Sequence, residues 1–190
     1  MQNLFRLLML LCVSIFTLSC GDGDETSPQD PGNSDNIITN NGLDFEITAV
    51  VIEDYGPWSD ETFNLDVTFL SEGLTYNSSS DEFSGIGLVA YYEMVSPSSG
   101  YLPDGDYSYD QWGNDAYTYT EYSEWINQQA TENWTSVVHN PTSTVTIERD
   151  GSFYTFSYSS GDYSIQYSGV PIYVDRTSRS MASKKRVLKR

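Results

Sequence analysis

The chain has 190 residues, two cysteines, one histidine and a formal charge of −18. All 27 acids and a single base, Arg149, lie between Cys20 and Asp175, a net of −26, whereas seven bases and no acid follow from Arg176 to Arg190. So acidic a body repels phosphate backbones, which excludes nucleic acid as a partner, and the lone His139 excludes a multi-histidine metal site.

The first twenty residues carry one base, Arg6, ahead of an apolar run from Leu7 to Phe16, the layout of an export signal. Leu7 to Leu18 is 12 residues, too few to cross a bilayer, which takes about 20. The run ends in Leu18-Ser19-Cys20-Gly21, which resembles the bacterial lipobox. The resemblance implies cleavage before Cys20, a diacylglycerol on its thiol and a further acyl chain, such as palmitate, on the new amine. Several chains anchor a protein stably where one does not. Residues 1–19 are therefore expected to be a lipoprotein signal peptide. Cys12 falls inside it, so the mature chain would have no disulfide, no cysteine zinc site and no free cysteine nucleophile.

Residues 20–42 are rich in Gly, Asp, Asn, Ser and Pro and are expected to form a lipid-anchored flexible linker. The cluster Gly21-Asp22-Gly23-Asp24-Glu25 resembles the surface-export signal of Bacteroidota lipoproteins, which implies an outer-membrane, cell-surface address.

Residues 43–175 read as one antiparallel β domain. Leu43 to Ile52 opens it as a strand. Phe63, Leu65, Val67 and Phe69 alternate with polar residues, the pattern of one buried and one wet face, and Ile86 to Val95 is apolar on both faces, as a central strand is. Tyr107 with Tyr109, and Tyr117 with Tyr119, mark two more alternating runs. Tyr122, Trp125, Ile126 and Gln129 fall at helical spacing, so 122–131 reads as one short helix or a structured loop. Thr144 to Tyr158 is a hairpin folded at Asp150-Gly151, where the turn calls for a positive φ. Tyr163 to Tyr167 and Val170 to Val174 follow as strands, with Pro171 restricted to a strand start, edge or bulge. The fold class is all-β: an antiparallel sandwich or barrel of about eight or nine short strands. Residues 176–190 form a basic tail, expected as a disordered end, an arm docking on the acidic body, or a contact for anionic headgroups.

Three segments carry a family resemblance over residues 84–175. Tyr101-Leu102-Pro103-Asp104-Gly105-Asp106-Tyr107 resembles the Leu-Pro-x-Gly-x-Tyr turn of small Bacteroidota lipoproteins. Thr144 to Phe156 is similar to their Thr-Val-Thr-Ile hairpin, and Ile165 to Ile172 to their closing strand, with Val170 before Pro171 as a departure. The resemblance implies a fold and an address; it implies no activity.

No nucleophile elbow and no phosphate-cradling loop occur. Carboxylates abound, but glycosidase chemistry needs a facing pair, so the domain is expected to be non-catalytic. Asp104, Asp106 and Asp110 around the Gly105 turn offer oxygen ligands of the kind calcium prefers, or they simply solvate a turn. The stronger signal is aromatic. Of fifteen tyrosines and four tryptophans in the chain, six and three lie between Tyr101 and Trp134, where Leu102 and Ile126 are the only Leu, Ile or Val residues. Too few aliphatic partners exist there to bury every ring. Trp112, Trp125, Trp134, Tyr109 and Tyr117 are thus candidates for a stacking face that takes a glycan or other extracellular polymer, with sheet and core packing as the alternative use. Assembly with an outer-membrane protein is the rival function.

Overall fold

The computed structural model describes residues 36–80, 82–127, 135–137 and 144–178. The described strands, in chain order, begin with β1 (Ile37–Asn40), β2 (Leu43–Pro57), β3 (Phe63–Ser71), β4 (Leu74–Asn77), β5 (Glu82–Gly85) and β6 (Gly87–Ser96). They continue with β7 (Gly105–Tyr109), β8 (Thr118–Asn127), β9 (Thr135–Val137), β10 (Val145–Asp150), β11 (Phe153–Ser160), β12 (Tyr163–Gly169) and β13 (Ile172–Asp175). Neighbours pair in the order β1-β12-β11-β10-β7-β8-β6-β3-β2, and β2 pairs back onto β1. Nine strands therefore close into a barrel, which decides between barrel and sandwich.

Closure rests on a segment expected to be linker. Ile37–Asn40 pairs with Tyr163–Gln166 on one side and Leu43–Glu46 on the other. Its hairpin turns through Asn41 (φ 51°) and Gly42 (φ 77°), the two positive φ values that a type I′ turn demands and that Asn-Gly supplies. The ordered domain thus starts before Leu43, and Ile38 lies fully buried in the core.

β2 is long because two partners share one of its edges. Its first residues hold β1, and Val51–Asp54 take β13 in parallel register. β8 is shared likewise, by β7 in parallel at Thr118 and Tyr119 and by β9 at Glu124–Ile126. The stretch expected as a helix or structured loop from Tyr122 is instead strand through Asn127, paired with β6 from Gly87 to Val95. Nine residue pairs of ladder override four residues of helical spacing, since strand preference follows cross-strand packing. Residues 128–131 of that expectation lie outside the described residues, as does His139.

β3 departs from its expected wet face. Asn64, Asp66 and Thr68 are as buried as Leu65, Val67 and Phe69 opposite them. Asp66 accepts hydrogen bonds from Tyr91 (2.9 Å) and Asn64 (3.1 Å), so its burial is compensated. On the neighbouring strand Glu53 pairs with Arg176 at 2.8 Å, and Arg176 also donates to the Tyr76 hydroxyl at 2.6 Å. Arg176 is the first residue of the expected basic tail, and it is 5% exposed. The folded domain therefore reaches past Asp175.

The barrel interior is filled by side chains, with the rings supplying much of the volume. Phe69 meets Phe156 edge-on at 5.4 Å and Tyr92 at 6.1 Å, and Tyr92 meets Tyr119 and Tyr158 in the same manner. Such pairs contribute about 0.5–1.5 kcal/mol each beyond their area. Tyr107, Tyr119 and Tyr163 are as deeply buried as the core leucines Leu65 and Leu88. A smaller apolar cluster of Val51, Leu70, Leu74 and Val89 packs with Tyr76 and Phe83 of the β4–β5 hairpin.

Candidate functional site

The chain runs in one sense along β2, β6, β10 and β12, so their C-terminal ends gather at one end of the barrel. The loops there are short or tied down. Hairpin β10–β11 turns at Gly151 (φ 61°) and Ser152, since Asp150 pairs with Phe153. A glycine at the first central position and no positive φ at the second is the pattern of a type II′ turn. The expected positive φ is at Gly151 as read, though the central pair is Gly151-Ser152.

The Leu-Pro-x-Gly-x-Tyr segment is a corner of this end. Leu102 is fully buried and donates its amide to the Tyr154 hydroxyl at 3.3 Å. Tyr107, also fully buried, donates its hydroxyl to the Pro103 carbonyl at 3.2 Å. Gly105 (φ 152°) lies under the Tyr117 ring, where a β-carbon would come within 2.8 Å of Cε1. The motif residues thus fix the entry of β7, and their chemistry is structural.

The three aspartates of that region are spent on separate donors. Asp104 accepts the amide of Arg149, and Asp106 accepts the Thr146 hydroxyl at 2.7 Å. Asp110 accepts the amides of Trp112 (3.0 Å) and Asn114 (3.2 Å). Among the described residues no three acidic, histidine or cysteine side chains are grouped to hold a metal ion. The expected calcium ligands are therefore not grouped, because each carboxylate is engaged by a different part of the chain.

That organisation presents a tryptophan. The Asp110 turn holds the backbone from Asp110 to Asn114, and Gly113 accepts the Trp58 indole N–H at 2.7 Å. Trp112 lies on this braced turn and is 71% exposed, the most exposed large hydrophobic side chain among the described residues. Tyr109 and Tyr117 are 42% and 38% exposed. Their rings lean on buried tyrosines, Tyr109 on Tyr119 at 5.7 Å and Tyr117 on Tyr107 at 5.3 Å. The aromatic set of the sequence therefore divides, with Tyr107 and Tyr119 in the core and Trp112, Tyr109 and Tyr117 at the surface. Trp125 falls in β8, with its side chain outside the described residues, and Trp134 lies outside them altogether.

Beside the Gly151 turn is a cleft of about 250 Å³ that the sequence did not single out, lined by Tyr101, Arg149, Ser152, Tyr154, Pro171 and Tyr173 among others. The Arg149 guanidinium lies over the Tyr101 ring, 4.4 Å from its centroid, and 5.7 Å from that of Tyr154. Ser96 ties the 96–101 loop, its hydroxyl lying 3.0 Å from the carbonyls of both Ser98 and Tyr101, between which its one proton is shared. Tyr173 donates to Asp54 at 2.7 Å, and burial together with that bond raises its hydroxyl pKa well above the ordinary phenol value. The usable signal was that Arg149 is the only base between Cys20 and Asp175.

Comparison with family models, with curated proteins and with solved structures found no match.

Proposed function

We propose that this chain is a membrane-anchored lipoprotein whose barrel is a non-catalytic binding module, taking an extracellular glycan on the aromatic side chains at one barrel end. Exposed Trp112 on its Asp110-braced turn is the observation that carries this reading. An indole that exposed costs apolar hydration, and a rigid backbone beneath it means little ordering entropy is lost when a sugar ring stacks on it. Tyr109 and Tyr117 add amphipathic rings backed by the core, and Asn114 and Asp115 supply polar edges. The packed interior leaves the surface as the place for a ligand, unlike barrels that enclose one. The N-terminal signal and the Cys20 lipobox support lipid anchoring at the outer membrane, facing outward.

A second reading, assembly with a membrane-protein partner, is favoured by β13. Among the described residues this strand pairs only with β2, and Val170, Ile172 and Tyr173 are 61%, 45% and 49% exposed on or beside it. An open edge with apolar side chains can accept a further strand.

A glycan array probed with the full chain in detergent separates the two. Binding to a defined saccharide, competed by the same saccharide free, supports the first reading. No binding across the array, with co-purification of a membrane protein that is lost on an Ile172→Lys change, favours the second.

A further inference from the structure

Arg149 stands apart electrostatically. It is the sole cation in a stretch carrying 27 acids, yet among the described residues no carboxylate forms an ion pair with its guanidinium. Its backbone amide goes to Asp104, whereas its Nε is buried without a hydrogen-bond partner. Two carboxylates bonded to residues of the cleft have other donors: Asp104 accepts the Arg149 amide, and Asp54 accepts both the Gly56 amide and the Tyr173 hydroxyl at 2.7 Å. The side chain is held by rings, over Tyr101 and beside Tyr154, at the wall of the 250 Å³ cleft.

A guanidinium braced on aromatic faces keeps its planar fork pre-organised, and the fork matches a carboxylate bidentately. Apolar walls from Tyr101, Tyr154 and Pro171 lower the local dielectric, which strengthens a charge-assisted bond. A body of net −26 would offer dozens of chances to pair such an arginine internally, so leaving it unpaired at a cleft is a costly arrangement that a bound anion would relieve. We infer that the Arg149 cleft is a subsite for a carboxylate-bearing sugar, so that the ligand is a glycan containing a uronic acid residue.

The inference rests on the glycan reading and narrows its ligand class. The test compares a galacturonate trisaccharide with its methyl ester, in which the carboxylate is masked and the rest of the molecule is unchanged. Both are titrated calorimetrically into the full chain in detergent and into its Arg149→Met and Trp112→Ala forms, with folding followed by circular dichroism. A charge-assisted pair predicts that the acid binds about tenfold or more tightly than the ester. In Arg149→Met, which keeps an apolar stem over Tyr101, the two affinities should converge. In Trp112→Ala both should fall while their ratio persists. Equal affinities for acid and ester in the unmodified chain overturn the inference, as does an acid preference that survives Arg149→Met. If the ester binds as well as the acid and loses affinity in Trp112→Ala, the glycan reading stands and the acidic subsite falls. Tighter binding of an acidic peptide than of the trisaccharide, lost in Arg149→Met, would also overturn it in favour of a peptide ligand.

Discussion

Removing Arg176 is the sharpest perturbation of the fold. Its Nε meets Glu53 Oε1 at 2.8 Å, and the two side chains are 6% and 7% exposed. Glu53 stands directly opposite Asp66 across the β2–β3 ladder, and Asp66 opposite Glu93 across β3–β6. Like charges directly opposite destabilise a sheet, so Arg176 holds a cation at the end of a row of acids. At a contact distance near 3 Å and an effective dielectric of about 20, the gross attraction is on the order of 6 kcal/mol, most of which desolvation offsets. Breaking a buried pair from one side leaves an uncompensated charge and typically costs about 3–5 kcal/mol. Arg176→Ala should therefore lower the melting temperature by on the order of 10 °C for a domain of this size. Arg176→Met combined with Glu53→Leu should recover most of the loss, because no charge is then stranded. Thermal denaturation followed by circular dichroism measures all three forms. An Arg176→Ala protein melting within about 1 °C of the parent would refute the buried pair and return residue 176 to the expected tail.

Three further outcomes follow from other parts of the chain. Gly151→Val should cost about 1–2 kcal/mol from its positive φ alone, since a β-carbon there meets nothing within 4 Å; Ser99→Val, on an exposed loop, is the control, and equal melting temperatures would contradict the turn. Cys20→Ser should move the protein out of the membrane fraction, and retention after a high-salt wash would sink the lipid anchor. In alkali, burial pushes the Tyr167 hydroxyl up to about 12, and it pushes those of Tyr107 and Tyr119 up further. A phenol whose folded pKa lies above its unfolded value near 10 adds stability that is intact below pH 10 and lost as pH rises through the folded value. The melting temperature should therefore fall between about pH 10 and 12, with phenolate absorbance from the buried rings rising as the fold is lost; a flat profile would contradict their burial.

The parts of the fold that were legible are those whose signals are local. Val145 and Ile147 alternate with polar residues up to Gly151, and the structure builds β10 and β11 there. Ile86 to Val95 is apolar on both faces because Leu88, Ala90, Tyr92 and Met94 pack in the main core, whereas Val89 packs in the smaller cluster with Tyr76 and Phe83. Closure was not legible, since it depends on residues 37–40 meeting residues 163–166, a pairing no local pattern encodes. The Asn41-Gly42 turn was a readable hairpin signal, but the polar residues before it made the whole stretch resemble a tether. At β8, Tyr122 and Trp125 matched a helical period by spacing alone, and the β6 ladder decided otherwise. The candidate site divides in the same way. A shortage of aliphatic partners around Trp112 foretold exposed rings, whereas the buried tyrosines packed against one another, a solution that counting Leu, Ile and Val could not reveal. The Arg149 cleft depends on Ile52 and three further separated segments, 100–101, 149–154 and 171–173, meeting in space.

Calorimetric titration of an array-identified glycan against the unmodified chain and Trp112→Ala tests the central claim most directly. Trp112 is 71% exposed, so truncating it should leave the melting temperature nearly unchanged. Losing one stacked ring, with base–aromatic stacking of about 1–3 kcal/mol as the nearest measured analogue, should weaken binding roughly fivefold to a hundredfold. Unchanged affinity in a folded Trp112→Ala protein would contradict the claim that this end of the barrel takes the ligand.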